Sequence, residues 1–475
     1  MHDLGALRSG AYKDAGLTQL KLACPLDSFP EEILELGDTL EQLDLSGTGL
    51  SSLPSNLASA LPKLKTALLD DCNFKVFPKE LASCPKLEKV AFRGNGMQEV
   101  PEDALPLTLR CLILTNNDLT YLPRSIGLCG QLHQLVVTGN QLREVPAELK
   151  QCKNLALLRL GSNNLKSLPS WAFALPELSR ISFASNPCAA PVSNGVAAPR
   201  SIASIPYSQL ELPRELGEGS DESEQISITF TPAVWTQSAD FAEEVSVRLF
   251  RGARPSDAGH PADELAAWMA AGSHESLITV LGRIQGHPAE ETSDSKDASC
   301  SFHGGLVAQD LQDYVPLSSL SSSSEPDGPL GMQTALMMLT SLAKGLDHLH
   351  ERGIAHGNVC PEHILASTGM QHALLGDLSA ASIYNHSAVA GESEFAIKKV
   401  EVLAFGRLME YVLGLVRRCE REQEGGEVER KLKELSARCL DPVVLERPDF
   451  DDVVGELEGL LGWRGMMRIP DVVPS

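Results

Sequence analysis

Two short motifs in the second half of the sequence concentrate side chains that can do chemistry. The first, from His356 to His363, has an imidazole at each end and the amide of Asn358 between them. The second places Asp377 in the run Gly-Asp-Leu-Ser, directly after an apolar stretch. Imidazoles and carboxylates can move protons or hold ligands, whereas the neutral amide of Asn358 cannot accept a proton. The carboxylate of Asp377 is therefore the group of the second motif that could serve as a metal ligand.

The segments that would position these motifs alternate between strand and helix signals. From Leu216 onward the sequence reads ELGEGS (starting at Glu215), VSVRLFRG, the apolar-periodic DELAAWMAAG and HESLITVLGRI. A long helical pattern, TALMMLTSLAKGLDHLHERG, precedes the first motif, and KKVEVLAFGRLMEYVLG and CLDPVVLERPDF follow the second. Segments in this order and at this spacing resemble the protein kinase fold over roughly residues 214 to 463.

The resemblance implies a role for each motif residue. Asn358 takes the position of the catalytic base, in a loop that His356 opens, and its amide cannot accept the proton of a substrate hydroxyl. His363 replaces a Mg²⁺-binding Asn, although imidazole is a poor ligand for a hard cation that prefers oxygen. Asp377 keeps the position of the metal-binding Asp in D-F-G. The resemblance thus implies one retained metal ligand, one substituted ligand and no catalytic base.

The residues that would hold a nucleotide are also altered. Arg248 stands where a phosphate-contacting Lys is expected, and Glu264 stands at the position of its helix partner. A planar guanidinium cannot reproduce the geometry of a compact ammonium, so we expect an Arg248–Glu264 ion pair with a structural role. In the phosphate-covering loop Gly217 and Gly219 are retained, but Glu222 replaces the third glycine and would repel phosphate.

The first part of the chain repeats the pattern L-x-x-L-x-L-x-x-N/C-x-L from Leu17 to about Asn186. Clear copies are spaced 22 to 24 residues apart and start at Leu40, Leu64, Leu87, Leu109, Leu132 and Leu155. Each predicts a short strand followed by an Asn or Cys that turns the backbone with its side chain bonded inside. This pattern resembles the leucine-rich repeat, and with the second half it resembles leucine-rich-repeat protein kinases in which H-R-D becomes H-G-D.

A solenoid of such repeats exposes the variable strand positions on a concave surface, where a protein partner would bind. Each residue taken singly fits an ordinary solvated face, but the set favours partner binding. The predicted surface comprises Glu88, Lys89, Arg93, Arg110, Thr115, Asn116, His133, Gln134, Thr138 and Arg159.

Composition and charge exclude several other classes of protein. The chain has 40 Lys plus Arg against 63 Asp plus Glu, a net charge of −23 that opposes binding to nucleic acid. The sequence contains no run of 18 apolar residues that could span a membrane, and its N-terminus has no signal-peptide pattern. We therefore expect a cytoplasmic protein. Only 5% of residues are aromatic while 43% are hydrophobic, so aliphatic side chains must form the cores.

The predicted fold is an α/β leucine-rich-repeat solenoid followed by a bilobal α+β protein-kinase-like domain. A stretch rich in Pro, Ala and Ser, with no repeat, separates the two. The predicted boundaries are an N-terminal cap at 1–16, leucine-rich repeats at 17–188, a linker at 189–213, the kinase-like domain at 214–463 and a C-terminal tail at 464–475.

The sequence therefore predicts an intracellular signalling protein that binds a protein partner through its repeats and carries a pseudokinase with little or no phosphoryl transfer. Two alternatives stay open. The chain could be an active, divergent Ser/Thr protein kinase that uses ATP and Mg²⁺, with Asp377 as metal anchor and Arg248 as phosphate contact. It could also be a repeat scaffold whose second domain has a purely structural role.

Overall fold

The computed structural model describes residues 2–189, 202–212, 230–238, 241–288, 302–322, 330–369, 372–384, 392–416 and 426–467. The chain divides into two compact units. The first unit comprises Met1–Ala189 together with Arg254–His260, a short segment from much later in the chain. The second comprises Ala190–Ala253 and Pro261–Ser475.

The first unit is built on one parallel sheet of eight three-residue strands, paired in chain order. The strands are β1 (Gln19–Lys21), β2 (Gln42–Asp44), β3 (Thr66–Leu68), β4 (Lys89–Ala91), β5 (Cys111–Ile113), β6 (Gln134–Val136), β7 (Leu157–Arg159) and β8 (Arg180–Ser182). Each strand buries its central residue, such as Leu135 in β6, which is fully buried. This is the strand arrangement that the 22- to 24-residue spacing predicts, and it fits a leucine-rich-repeat solenoid.

Asparagine side chains tie successive repeats together inside this unit. Asn140 is representative: its amide donates to the carbonyl of Leu114, one repeat earlier, at 2.8 Å, and its Oδ1 accepts from the N–H of Leu119 at 3.1 Å. The same pattern recurs at Asn95, Asn117, Asn163 and Asn186. These bonds satisfy buried backbone groups in the turns where no strand pairing is available.

Short helical turns precede β1 and lie between most of the strands that follow, and most of them start directly after a proline. Proline ends strand pairing and has a φ suited to a helical first turn. The 3₁₀ turns are Glu31–Leu36, Lys79–Ser83, Arg124–Leu128, Ala147–Gln151 and Ser170–Ala174, and the α-helices are α1 (Leu4–Arg8) and α2 (Leu57–Ala60).

The second unit is an α/β unit with a six-stranded sheet in the order β10-β11-β12-β14-β13-β9. Pairing is antiparallel except between β9 and β13. The strands are β9 (Ala203–Pro206), β10 (Leu210–Glu211), β11 (Thr231–Ser238), β12 (Phe241–Arg251), β13 (Val280–Gln285) and β14 (Phe302–Ala308). Helix α3 (Pro261–Ala271) packs against β12 and β14 and buries Trp268.

The remaining elements of the second unit are mainly helical. The helices are α4 (Met332–Glu351), α5 (Glu392–Gly414), α6 (Gly426–Cys439) and α7 (Phe450–Met467). The strands are β15 (Tyr314–Pro316), β16 (Ile354–Ala355), β17 (Ile364–Ser367), β18 (Ala373–Leu375) and β19 (Ser382–Ile383). One hydrophobic cluster runs from Phe250 to Leu460 and joins β12, α3 and these helices into a single core.

The structure differs from the predicted linker at 189–213. Residues 202–212 contain β9 and β10, which pair with β13 and β11 of the second unit's sheet. The buried Ile205 and Leu210 explain the pairing, because each contributes an apolar side chain to the core of that sheet. A composition rich in Pro, Ala and Ser concealed these two short strands.

Candidate functional site

The loop from His356 to His363 lies between β16 and β17 and is held by a carboxylate from α5. Oε1 of Glu401 accepts the backbone N–H of Gly357 at 2.5 Å, and its Oε2 lies 2.6 Å from Nε2 of His350. Burial opposes the charge on Glu401, but His350 and the Gly357 N–H outweigh it and hold the pKa of Glu401 below its usual range. Glu401 therefore fixes the backbone of this loop as an ionised acceptor.

Sequence reasoning missed His350, which completes this arrangement. It lies on α4 and is fully buried. Its position continues the buried row of Leu342 and Leu346 at helical spacing, which would have indicated an inward-facing imidazole. A buried imidazole needs a partner, and Glu401 supplies one.

A β-hairpin brings His363 and Asp377 together. His363 precedes β17 and Asp377 follows β18, and the pairing of Ile364 with Leu375 places the two ends side by side. Nδ1 of His363 lies 2.8 Å from Oδ2 of Asp377, and both side chains are buried. The contact joins two groups that can carry opposite charges at salt-bridge distance.

The two groups stabilise each other's charged form. Burial disfavours the imidazolium, but Asp377 and Cys360 outweigh burial and raise the pKa of His363 to about 9. Burial likewise disfavours the carboxylate, but His363 and the N–H of Ser379 hold the pKa of Asp377 well below its usual range. At neutral pH the pair is therefore an imidazolium beside a carboxylate.

These residues do not fit a Mg²⁺ site. Magnesium requires several oxygen ligands in octahedral geometry. Here Oδ2 of Asp377 faces the positively charged His363 and accepts from the hydroxyl of Ser379 at 2.9 Å, while Oδ1 accepts from the N–H of Ser379 at 2.9 Å. The second predicted ligand, His363, offers a cationic ring where a metal needs an oxygen lone pair. The imidazolium of His363 thus supplies the positive charge beside Asp377 that a metal ion would supply.

The predicted ion pair between Arg248 and Glu264 is present. Arg248 lies on β12 and its Nη2 is 2.6 Å from Oε2 of Glu264 on α3, with 16% and 6% of the side chains exposed. Trp268 donates its indole N–H to the other oxygen of Glu264 at 3.4 Å. Burial raises the pKa of Glu264, and the nearby Asp377 raises it further, while Arg248 lowers the pKa of Asp377. These three groups therefore share one electrostatic environment.

The other predicted loop residues are buried and neutral. The backbone N–H of Asn358 donates to Nδ1 of His356 at 3.3 Å. His356 is fully buried, and burial lowers its pKa, which keeps the ring uncharged at neutral pH. An amide and a neutral imidazole at these positions provide no carboxylate base. Gly217 and Gly219, predicted to bind nucleotide, and Glu222 lie outside the described residues.

The residues of the predicted concave surface lie in strands β4 to β7 or directly beside them in the chain. Four of these residues contact the segment Arg254–His260, which belongs to the same unit. They are Arg93, Thr115, Asn116 and Thr138. The sequence predicts this face as a binding surface but does not indicate that another part of the chain contacts it. Sequence reasoning missed Ser182, which contacts the same segment from β8.

Comparisons with known proteins match parts of the chain. No protein-family model matches it. A stretch of 129 residues, 26% of the chain, is 27% identical to the volume-regulated anion channel subunit LRRC8B of Mus musculus and spans 16% of that protein. A stretch of 81 residues, 17% of the chain, is 35% identical to a Wee1-like protein kinase of Oryza sativa subsp. japonica and spans 15% of it.

A solved structure of a leucine-rich-repeat protein from Leptospira interrogans is 27% identical, with 34% of this chain and 47% of that chain covered and a TM-score of 0.29. Together with the strand pairing, the match to LRRC8B supports a leucine-rich-repeat region in this chain. Leucine-rich-repeat regions typically bind other proteins. None of the described helices has the length and apolar character needed to cross a membrane.

Proposed function

We propose that this chain is a leucine-rich-repeat signalling protein that binds a protein partner and carries a pseudokinase with little or no phosphoryl transfer. The observation that carries the second part is the ion pair between His363 and Asp377 at 2.8 Å. A kinase needs the carboxylate at this position for Mg²⁺ and a second carboxylate as base. Here the imidazolium of His363 neutralises the carboxylate of Asp377, and the amide of Asn358 stands in place of the second carboxylate.

Two further observations support the kinase-like ancestry of the second unit. The strand-to-helix ion pair of Arg248 and Glu264 has the placement expected for the Lys–Glu pair of a kinase, with an arginine in place of the lysine. A stretch of 81 residues of this chain is also similar to a Wee1-like protein kinase, which supports a kinase-like region in the chain. A bilobal kinase-like fold for this unit is part of the proposal.

Thermal unfolding of the full chain with and without millimolar ATP and Mg²⁺ tests the proposal. A working nucleotide site filled at 100 times Kd would stabilise the unit by about 2.7 kcal/mol. For a domain of this size that corresponds to a rise in the unfolding midpoint of roughly 5–10 °C. We expect no rise that depends on Mg²⁺, because Asp377 is engaged by His363.

Asp377→Ala serves as the matched control, and phosphoryl transfer from labelled ATP is measured on both proteins. We expect equal, background incorporation of label. A Mg²⁺-dependent rise in the midpoint together with incorporation that Asp377→Ala abolishes would establish the active-kinase alternative. A rise without incorporation would refute our conclusion that the site does not fit Mg²⁺ and leave the absence of phosphoryl transfer standing.

A further inference from the structure

The segment Arg254–His260 lies on the concave face of the repeats, and its carboxylate is held there by several groups. Nε of Arg93 is 3.0 Å from both oxygens of Asp257, and Nη2 is 2.6 Å from Oδ2. The hydroxyl of Thr115 donates to Oδ1 of the same carboxylate. Nη1 of Arg93 is anchored by Asp70 at 2.6 Å, which orients the guanidinium toward the segment. Bidentate contacts of this kind are strong and geometrically specific.

Residues of other repeats bind the backbone of the segment. Asn116 donates to the carbonyl of Pro255 at 2.8 Å, and Thr138 donates to the carbonyl of Asp257 at 2.9 Å. Ser182, at the end of β8, donates to the carbonyl of Ala258 at 3.3 Å. Side chains located between the turn after β4 and the end of β8 thus bind one short segment of the chain, as the residues of a ligand site would.

Both partners have a shape suited to this contact. The segment is a tight turn in which Ser256 N–H donates to the carbonyl of Gly259 at 2.9 Å. On the repeat side, Gly139 has a φ of +70°, and a Cβ there would clash with Oδ1 of Asn116 and lie 2.8 Å from Cγ of Pro255. The absence of a side chain at Gly139 therefore leaves room for the Asn116 side chain, which binds the carbonyl of Pro255, and for the proline ring of the turn.

The contact is accessible to competitors. The side chains of Arg93 and Asp257 are 36% and 34% exposed, so solvent and another peptide can reach the ion pair. Charged groups with this exposure contribute modestly to stability, because water screens them. The contact is therefore better suited to recognising a peptide than to stabilising the fold. A fixed guanidinium and several aligned donors provide that recognition.

We propose that residues 254–260 are a built-in ligand of the concave face, and that the protein partner presents the same chemistry, an aspartate in a tight turn. This inference rests on the protein-binding part of the proposed function. The segment and the partner then compete for Arg93, Thr115 and Thr138.

Fluorescence anisotropy with a labelled peptide of residues 252–262 tests the inference on the full-length protein. Asp257→Ala in the protein removes the carboxylate of the built-in ligand and leaves Arg93 in place. We expect this variant to bind the peptide at least about tenfold more tightly than the wild type does. A peptide carrying Asp257→Asn should bind the variant about tenfold more weakly than the native peptide does.

Two control proteins complete the experiment. Asp103→Ala removes an exposed carboxylate paired with Lys79 in the same unit and should behave as the wild type. Arg93→Ala combined with Asp257→Ala should lose the peptide. Unchanged affinity in Asp257→Ala, or no binding by it at millimolar peptide, would show that the segment is only a structural contact. The nucleotide experiment is independent of this one, so failure here leaves the pseudokinase proposal intact.

Discussion

Replacing Glu401 by Ala should lower the free energy of unfolding of the second unit by about 3–5 kcal/mol. The carboxylate is buried between α4 and the loop that begins at His356, and it accepts from His350 and Gly357. Its removal withdraws the acceptor from two buried donors that water cannot reach. Calorimetry of the full chain should show the transition of the second unit at a lower temperature.

Glu410→Ala is the matched control, because Glu410 lies on the same helix with an exposed side chain. It should change the transition by no more than about 0.5 kcal/mol. Equal transition temperatures for Glu401→Ala and Glu410→Ala would mean that Glu401 does not hold the loop.

The contribution of Glu401 should also depend on pH. Its pKa in the folded chain is lower than the ordinary 4.5, so folding favours the ionised form. The stabilisation is therefore complete above the ordinary pKa and is lost as the pH falls through the folded value. The difference in unfolding temperature between the wild type and Glu401→Gln should shrink steadily below pH 4.5. A difference that stays constant down to acid unfolding would contradict the assignment of Glu401 as an ionised acceptor.

Replacing Asn140 by Ala should lower the free energy of unfolding of the repeat unit by about 2–4 kcal/mol. Its amide donates to the carbonyls of Leu114, Val137 and Thr138, and its Oδ1 accepts from Leu119. Alanine withdraws this partner from buried backbone groups on both sides of the turn. Urea unfolding of the full chain, followed by far-ultraviolet circular dichroism, measures the effect.

Asn154→Ala provides the control for this substitution. Its amide also bonds a backbone carbonyl, that of Gly130 at 2.8 Å, but the contact is exposed, so water can replace it. We expect a loss of less than about 1 kcal/mol. Similar losses for the two variants would show that burial of the asparagine contacts contributes little.

The repeats were predictable because their signal is local and recurrent. The apolar positions of each copy indicate which residues face inward, and an Asn or Cys indicates each turn. The copy starting at Leu40 contains β2 at Gln42–Asp44, and the later copies place their strands in the same way. In the candidate site, the residue types at Asn358, His363 and Asp377 were visible in the sequence. Their pairing depends on the register of β17 with β18, which spacing alone does not specify.

The position of residues 254–260 had no signal in the sequence. The letters Arg-Pro-Ser-Asp-Ala-Gly indicate a turn, but a turn does not state which surface it contacts. The binding groups of the face come from distant points in the chain, such as Arg93 and Ser182. Only the folded repeats bring them to one face, so this contact is a product of tertiary structure.

A ligand carried by the chain itself needs little intrinsic affinity to be effective. Attachment gives a segment a local concentration on the order of millimolar for short flexible connections. A turn that binds with a Kd of about 0.1 mM as a free peptide would then occupy its face about nine-tenths of the time and weaken the apparent affinity of a competitor about tenfold. If residues 254–260 are the built-in ligand that we propose, a partner needs about ten times the concentration to fill the face to the same extent. The segment around Asp257 would thus raise the partner concentration at which the concave face is half filled.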